Sequence, residues 1–287
     1  MMLAVPGAEL YYEAAGTGPV LLLIPGGNGD AMPYAGLLRL LSDSYTVVAY
    51  NRRGFTGSPV DGPIDPATRL DADADDAVAL IEHLGSGPAH VFGSSSGAIV
   101  GLHLLTRSPD QVATLISHEP PLATLLPDGD EWLALLDELY DVWRADGPAV
   151  AMRRFGEQML GVTNDAPSDR LAALPAEQRV ELMQRMSANL TFWFEYEFKT
   201  YPRYEPDLAA LDKLKDRLVL AGGNDSRELF PYQPNTVLAA RLGLDVVDFP
   251  GDHVGYAAHA AEFAGQLRAV LANRPPLGVR PGDRPTA

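Results

Sequence analysis

The order in which short apolar runs alternate with helical stretches restricts the fold of this chain more than any other feature. Val20-Leu21-Leu22-Leu23-Ile24 and Thr46-Val47-Val48-Ala49-Tyr50 carry no polar alternation, as strands covered on both faces require. Val91-Phe92, Val112-Ala113-Thr114-Leu115-Ile116-Ser117, Leu218-Val219-Leu220-Ala221 and Leu244-Asp245-Val246-Val247-Asp248-Phe249 continue the series. Helical stretches at 34–41, 69–84, 234–242 and 259–272, and one running from the serines after Phe92 to about Arg107, separate them. Repeated strand–helix units specify a mostly parallel, doubly wound α/β sheet with helices on both faces. Glu9-Leu10-Tyr11-Tyr12-Glu13-Ala14 alternates instead. It suits an edge strand, reached from Ala4-Val5 through a turn at Pro6-Gly7.

The alternation stops after the sixth strand. Residues 122–206 read as helices only, at 131–144, 149–160 and 176–199. Trp132, Leu135, Leu136, Leu139 and Trp143 recur at helical spacing in the first of these. The chain therefore divides into a core of residues 1–121 and 207–273 and an all-helical cap of residues 122–206. Residues 274–287, rich in proline and arginine, are expected to be a disordered tail.

Composition removes several function classes. The formal net charge is −16, without a compensating Lys/Arg cluster, so neither nucleic acid nor an anionic membrane is expected as a partner. There is no cysteine, hence no disulfide and no thiolate catalysis; a cytoplasmic location fits. No signal segment and no membrane span is read. Asp71, Asp73, Asp75 and Asp76 crowd the start of the 69–84 helix. They are expected to favour the helix dipole rather than a cation, because successive helical positions diverge around the axis. No P-loop, dinucleotide fingerprint or ligand cluster is found, so neither a metal nor an organic cofactor is implied. The partner expected is a small-molecule substrate, and the oligomeric state is open between monomer and homodimer.

The chemistry concentrates at Val91-Phe92-Gly93-Ser94-Ser95-Ser96-Gly97-Ala98. A short strand runs into a sharp turn and then a helix, with glycines two residues either side of Ser95. Such a turn stands a serine hydroxyl above the sheet, and its flanking residues must be small because backbones pass closely there. In doubly wound sheets ligands bind beyond the carboxyl ends of the strands. Loops predicted at those ends carry Gly26-Gly27-Asn28, Ser95, Asp225 and His253.

Taken together these stretches resemble the α/β-hydrolase family over nearly the whole chain except the tail. Leu23-Ile24-Pro25-Gly26-Gly27 is similar to the family's oxyanion loop, with Pro25 where histidine is common. Tyr50-Asn51-Arg52-Arg53-Gly54-Phe55-Thr56-Gly57-Ser58 resembles its Y-D-x-R-G-x-G-x-S stretch, with Asn51 for aspartate. Gly93-Ser94-Ser95-Ser96-Gly97 resembles the nucleophile elbow, Gly222-Gly223-Asn224-Asp225 the acid loop and Gly251-Asp252-His253 the histidine loop. The helical insertion lies where the family carries its cap.

The resemblance implies a serine hydrolase acting on an ester, lactone or related acyl bond. Ser95 would be the nucleophile and His253 its base, with Asp225 orienting the imidazole. Backbone N–H groups of Gly27 and Ser96 would hold the oxyanion. Glu119, at the end of the sixth strand beside Pro120-Pro121, is the alternative acid. His118 borders the expected site. Trp132, Trp143, Phe192, Trp193 and Tyr196 are candidate lining residues for a lipophilic or aromatic substrate. The alternatives on the same fold are acyl transfer, C–C cleavage, cofactor-free oxidative chemistry or a receptor-like ligand-binding protein.

Overall fold

A computed structural model describes residues 1–85, 87–161 and 174–274. Eight strands form one sheet: β1 (Met2–Val5), β2 (Ala8–Ala15), β3 (Val20–Ile24), β4 (Thr46–Tyr50), β5 (Ala89–Ser94), β6 (Val112–His118), β7 (Leu218–Gly223) and β8 (Val246–Phe249). Their spatial order is β1-β2-β4-β3-β5-β6-β7-β8. The β1–β2 hairpin and its edge with β4 are antiparallel, and all other pairs are parallel. The doubly wound sheet expected from the sequence is therefore present.

Period-two alternation sorts each strand between two cores. On β3, Val20, Leu22 and Ile24 face one cluster. That cluster also takes Leu80 and Ile81 of α2 (Arg69–Leu84), Leu102 and Leu105 of α3 (Ser96–Arg107), and residues of two later helices. Leu21 and Leu23 face the other, with Leu37 and Leu41 of α1 (Ala35–Leu41) and Phe263 and Leu267 from a helix near the end of the chain. Leu21, Leu22, Leu23 and Ile24 are fully buried, so truncating one of these leucines to alanine costs about 2–5 kcal/mol.

Between β6 and β7 the described residues form only helical elements: α4 (Gly129–Asp146), α5 (Pro148–Met159), α6 (Ala176–Tyr196) and α7 (Leu208–Leu214), with single-turn 3₁₀ segments. Leu136, Leu139, Trp143, Ala151, Trp193, Phe194 and Phe198 pack into a third cluster, closed from the sheet side by Phe55, Ala123 and Phe230. The chain then completes the sheet through α8 (Gln233–Leu242), α9 (Gly255–Ala258) and α10 (Ala260–Ala272). The tail expected to be disordered, residues 274–287, lies outside the described residues apart from Arg274. No helix among the described residues is long and apolar enough to cross a membrane.

The aspartates of α2 engage basic side chains: Asp71 pairs with His103, Arg107 bridges Asp71 and Asp75, Asp76 pairs with Arg53 and Asp73 with Arg52. No cluster suited to a metal occurs among the described residues.

Candidate active site

Ser95 sits between β5 and α3 with φ 57° and ψ −125°, a conformation costly for a residue with a Cβ and sustained only when its surroundings fix it. Two features do so. The Ser95 N–H donates to the His118 carbonyl at the end of β6 (2.9 Å). The flanking glycines also let backbones nearly touch: a Cβ on Gly97 would lie 2.2 Å from the Ile24 carbonyl oxygen, and one on Gly93 2.3 Å from that of Gly97. The turn is therefore specified by sequence, since no other residue fits either flank. Ser96 opens α3, and its N–H has no acceptor among the described residues, as the first turn of a helix leaves it.

His253 follows β8. Its Nδ1 lies 2.6 Å from Oε2 of Glu119. A carboxylate only accepts, so the Nδ1–H of His253 donates to it. Glu119 ends β6 with φ 50°. Its N–H donates to the Ala221 carbonyl (3.1 Å) and its Oε1 accepts from the Gly223 N–H (2.7 Å). Both carboxylate oxygens are thus engaged, and the side chain is fully buried. Burial alone would raise this carboxyl; the His253 hydrogen bond, the His253 and His118 imidazoles where protonated, and the Gly223 N–H outweigh it and hold it at about 2.

Here the structure corrects the sequence reading. Asp225, the preferred partner of His253, is exposed. Its backbone N–H donates to the Gly251 carbonyl (3.1 Å), and its carboxylate has no hydrogen-bond partner among the described residues. The acid that meets His253 is the alternative, Glu119. The physical reason is reach: β6 lies inside the sheet and aims Glu119 under the histidine loop, whereas Asp225 continues past the end of β7 into solvent.

His118 is buried in an aromatic cage with its ring 6.5 Å from that of His253. Burial, the largest influence, lowers its imidazole to about 4, so it is neutral at pH 7. It does not line the pocket.

The pocket lies above Ser95 and Ser96, walled by Leu136, Phe155, Met159, Trp193, Phe198 and Phe230. Of the aromatic residues named as candidates, Trp193 lines it. Trp132 instead packs on Phe230 (4.5 Å between ring centroids) and Trp143 stacks on Phe194 (5.5 Å). Phe192 contacts Phe55 (4.8 Å), with Tyr196 behind it. These four support the helical insertion and leave the pocket wall to residues that helical spacing alone did not single out, such as Met159 and Phe155.

One charged residue reaches the pocket. Glu197, just after α6, is fully buried and takes both Arg52 (2.7 and 2.9 Å) and Arg69 (2.6 and 2.9 Å). Asp73 completes the cluster through Arg52 (2.8 Å). Burial lowers the Arg52 guanidinium, but Glu197 and Asp73 more than reverse this, so the cluster is a balanced set of charges. Farther along α6, Arg185 pairs with Asp30 (2.5 Å) and Asn189 accepts from the Thr56 hydroxyl (2.7 Å). Asn51 accepts from the Ala31 N–H (2.9 Å) and donates to the Thr56 carbonyl (2.6 Å). An aspartate there would accept only, which accounts for the asparagine.

Comparisons with known proteins agree with this architecture. A profile of the alpha/beta hydrolase fold matches residues 19–259. The chain is 35% identical over 273 residues to the uncharacterized hydrolase YraK of Bacillus subtilis (strain 168), covering 94% of each. It is 26% identical over 273 residues to a zearalenone hydrolase of Cladophialophora bantiana, covering 92% of each. Among solved structures, a thermophilic esterase from Thermogutta terrifontis superimposes with a TM-score of 0.70 at 20% identity, over 94% of this chain and 96% of that one. The chain belongs to the alpha/beta hydrolase fold family.

Proposed function

We propose that this protein is a serine hydrolase in which Ser95 attacks an acyl carbon, His253 takes its proton and Glu119 holds the imidazole. The observation that carries this reading is the 2.6 Å pairing of His253 Nδ1 with buried Glu119. Glu119 follows His118, whose carbonyl accepts from the Ser95 N–H (2.9 Å), so serine and histidine both gather at the carboxyl end of β6. A serine hydroxyl is a weak nucleophile until a base removes its proton. A carboxylate on Nδ1 fixes the tautomer and stabilises the imidazolium formed on attack.

The oxyanion would accept from the N–H groups of Ser96 and Gly27, neither of which has another acceptor among the described residues. Each such donor is worth about 10²–10³ in rate. The acyl-serine forms as the alcohol leaves with the proton from His253. Water, deprotonated by the same imidazole, then releases the acid and restores the Ser95 hydroxyl.

The substrate is a small ester or lactone with an apolar acyl or alkoxy part. The pocket wall of leucine, methionine and aromatic residues supports this, because burying such a group there is favourable by about 25 cal/mol per Å². The named substrate of the zearalenone hydrolase relative makes a lipophilic small molecule a sensible first compound to assay.

The test is intact mass after exposure to a fluorophosphonate, for wild type and Ser95→Ala. One adduct on wild type and none on the variant is expected. No adduct on folded wild type would contradict the reading.

A further inference from the structure

The Gly26-Gly27 pair needs an external constraint. Glycine populates many backbone conformations about equally, yet an oxyanion donor is useful only when aimed. All peptides among the described residues are trans, so the Gly26 carbonyl and the Gly27 N–H of one planar unit point in opposite directions. Whatever holds the carbonyl aims the N–H.

Two donors hold it. The Gly26 oxygen accepts from the Gly29 N–H (2.9 Å), closing a turn, and from Arg52 Nη2 (2.8 Å). Arg52 is fully buried, with its guanidinium carbon 4.8 Å from the centre of the Phe55 ring. Its Nη1 and Nη2 together bond Asp73 and both oxygens of Glu197. The planar fork meets several acceptors at fixed angles, which a lysine ammonium does not reproduce. The glycine pair itself is confined on both sides. A Cβ on Gly26 would lie 3.0 Å from Ser95 Cβ, and one on Gly27 would lie 2.5 Å from Trp193 Nε1.

We propose that Arg52 is a positioning residue: it grips the Gly26 carbonyl so that the Gly27 N–H is aimed at the oxyanion, and Glu197 of the helical insertion holds Arg52 in that grip. The proposal rests on the serine hydrolase reading above. It makes the insertion part of the catalytic geometry, because Glu197 enters the site only when α6 is docked on the sheet.

The experiment uses Arg52→Lys and the double variant R52M/E197L. The second removes one positive and one negative charge and leaves Arg69 beside Asp73, which a buried cluster tolerates better than a lone charge. Each is assayed with p-nitrophenyl esters and with an alkyl trifluoromethyl ketone, which forms a serine hemiketal bearing an oxyanion. Folding is checked by circular dichroism, and wild type is labelled with the fluorophosphonate in parallel.

The expected result is kcat lower by about 10², the worth of one oxyanion donor, with KM within about threefold. Inhibition by the ketone should weaken by a similar factor. A structural role alone would lower the folded fraction without moving kcat per labelled site or the ketone affinity relative to KM. If Arg52→Lys fails to fold, the double variant gives the same reading. Unchanged kcat and ketone affinity in a folded variant would overturn the proposal. Failure of wild type to label at Ser95 would overturn the underlying hydrolase reading instead.

Discussion

The carboxyl ends of β6 and β7 are adjacent, and each is followed by an acidic residue; one meets His253 and the other does not. At β6, Glu119 adopts a positive φ, is fully buried and spends both oxygens on Gly223 and His253. At β7, the chain passes through Gly223 and Asn224 before Asp225, which faces solvent. Asn224 Oδ1 accepts from the Gly251 N–H (3.1 Å), and the Asp225 N–H donates to the Gly251 carbonyl (3.1 Å). The β7 loop therefore shapes the histidine loop through its backbone and an amide, while the β6 end supplies the charge. A glycine-rich loop with an acid at its tip is a sign of where chain turns, and burial decides which acid a histidine meets.

Replacing Ser95, the proposed nucleophile, sets the floor for this comparison. Ser95→Ala should lower kcat on a p-nitrophenyl ester by about 10⁶, the loss found when a serine of this kind is removed. Folding by circular dichroism should be unchanged. Any residual rate above that floor would be assigned to the remaining donors.

Gly223 links the two ends, because its N–H binds Glu119 while its Cα abuts the histidine loop. A Cβ there would lie 2.5 Å from the Gly251 carbonyl oxygen and 2.7 Å from that of Asp252. Gly223→Ala should cost about 1–3 kcal/mol of stability by urea unfolding, as overpacking does. It should also lower kcat, because the pushed loop carries His253. A silent substitution would mean that the two loops are not coupled.

Two buried imidazoles and Glu119 also carry a pH signature. Burial depresses the imidazoles of His118, next to Glu119, and of His90 on β5 to about 4. Between about 6.5 and 4 the unfolded chain binds more protons than the folded one, so stability falls as pH drops through that window. Glu119, held at about 2 against an ordinary value of 4.5, continues the loss as pH falls from about 4.5 towards 2. Urea midpoints from pH 7 to 4 should decline for wild type and decline less for His90→Gln. A flat profile would contradict the burial of these imidazoles.

The smallest effect belongs to the β7 acid. Asp225→Asn is an exposed substitution without a lost hydrogen bond, and its stability should lie within about 0.5 kcal/mol of wild type. A larger loss by urea unfolding would reveal a contact of this carboxylate.

The sheet was legible because its signal is local. Val20–Ile24 and Thr46–Tyr50 are apolar in every position, and the bounds 69–84 of α2 appear in the sequence as they do in the fold. The Ser95 turn was legible for the same reason: Gly93 and Gly97 announce a close approach that only glycine permits. The acid was not, because nothing near Glu119 in sequence reveals that its partners lie at Gly223 and His253, more than a hundred residues away. The pocket wall was legible only at Trp193. The α6 aromatics point in different directions, and which of them faces Ser95 depends on how Arg185, Asn189 and Glu197 pin that helix to the sheet.

Glu119, and not Asp225, is the residue proposed to orient His253. The most direct measurement is kcat on one p-nitrophenyl ester for Glu119→Gln and Asp225→Asn, each normalised to folded protein. A loss of about 10⁴ is expected for Glu119→Gln, as when a triad acid is made an amide, and a rate within about threefold of wild type for Asp225→Asn. A severe loss at Asp225 with a nearly silent Glu119 would contradict that assignment.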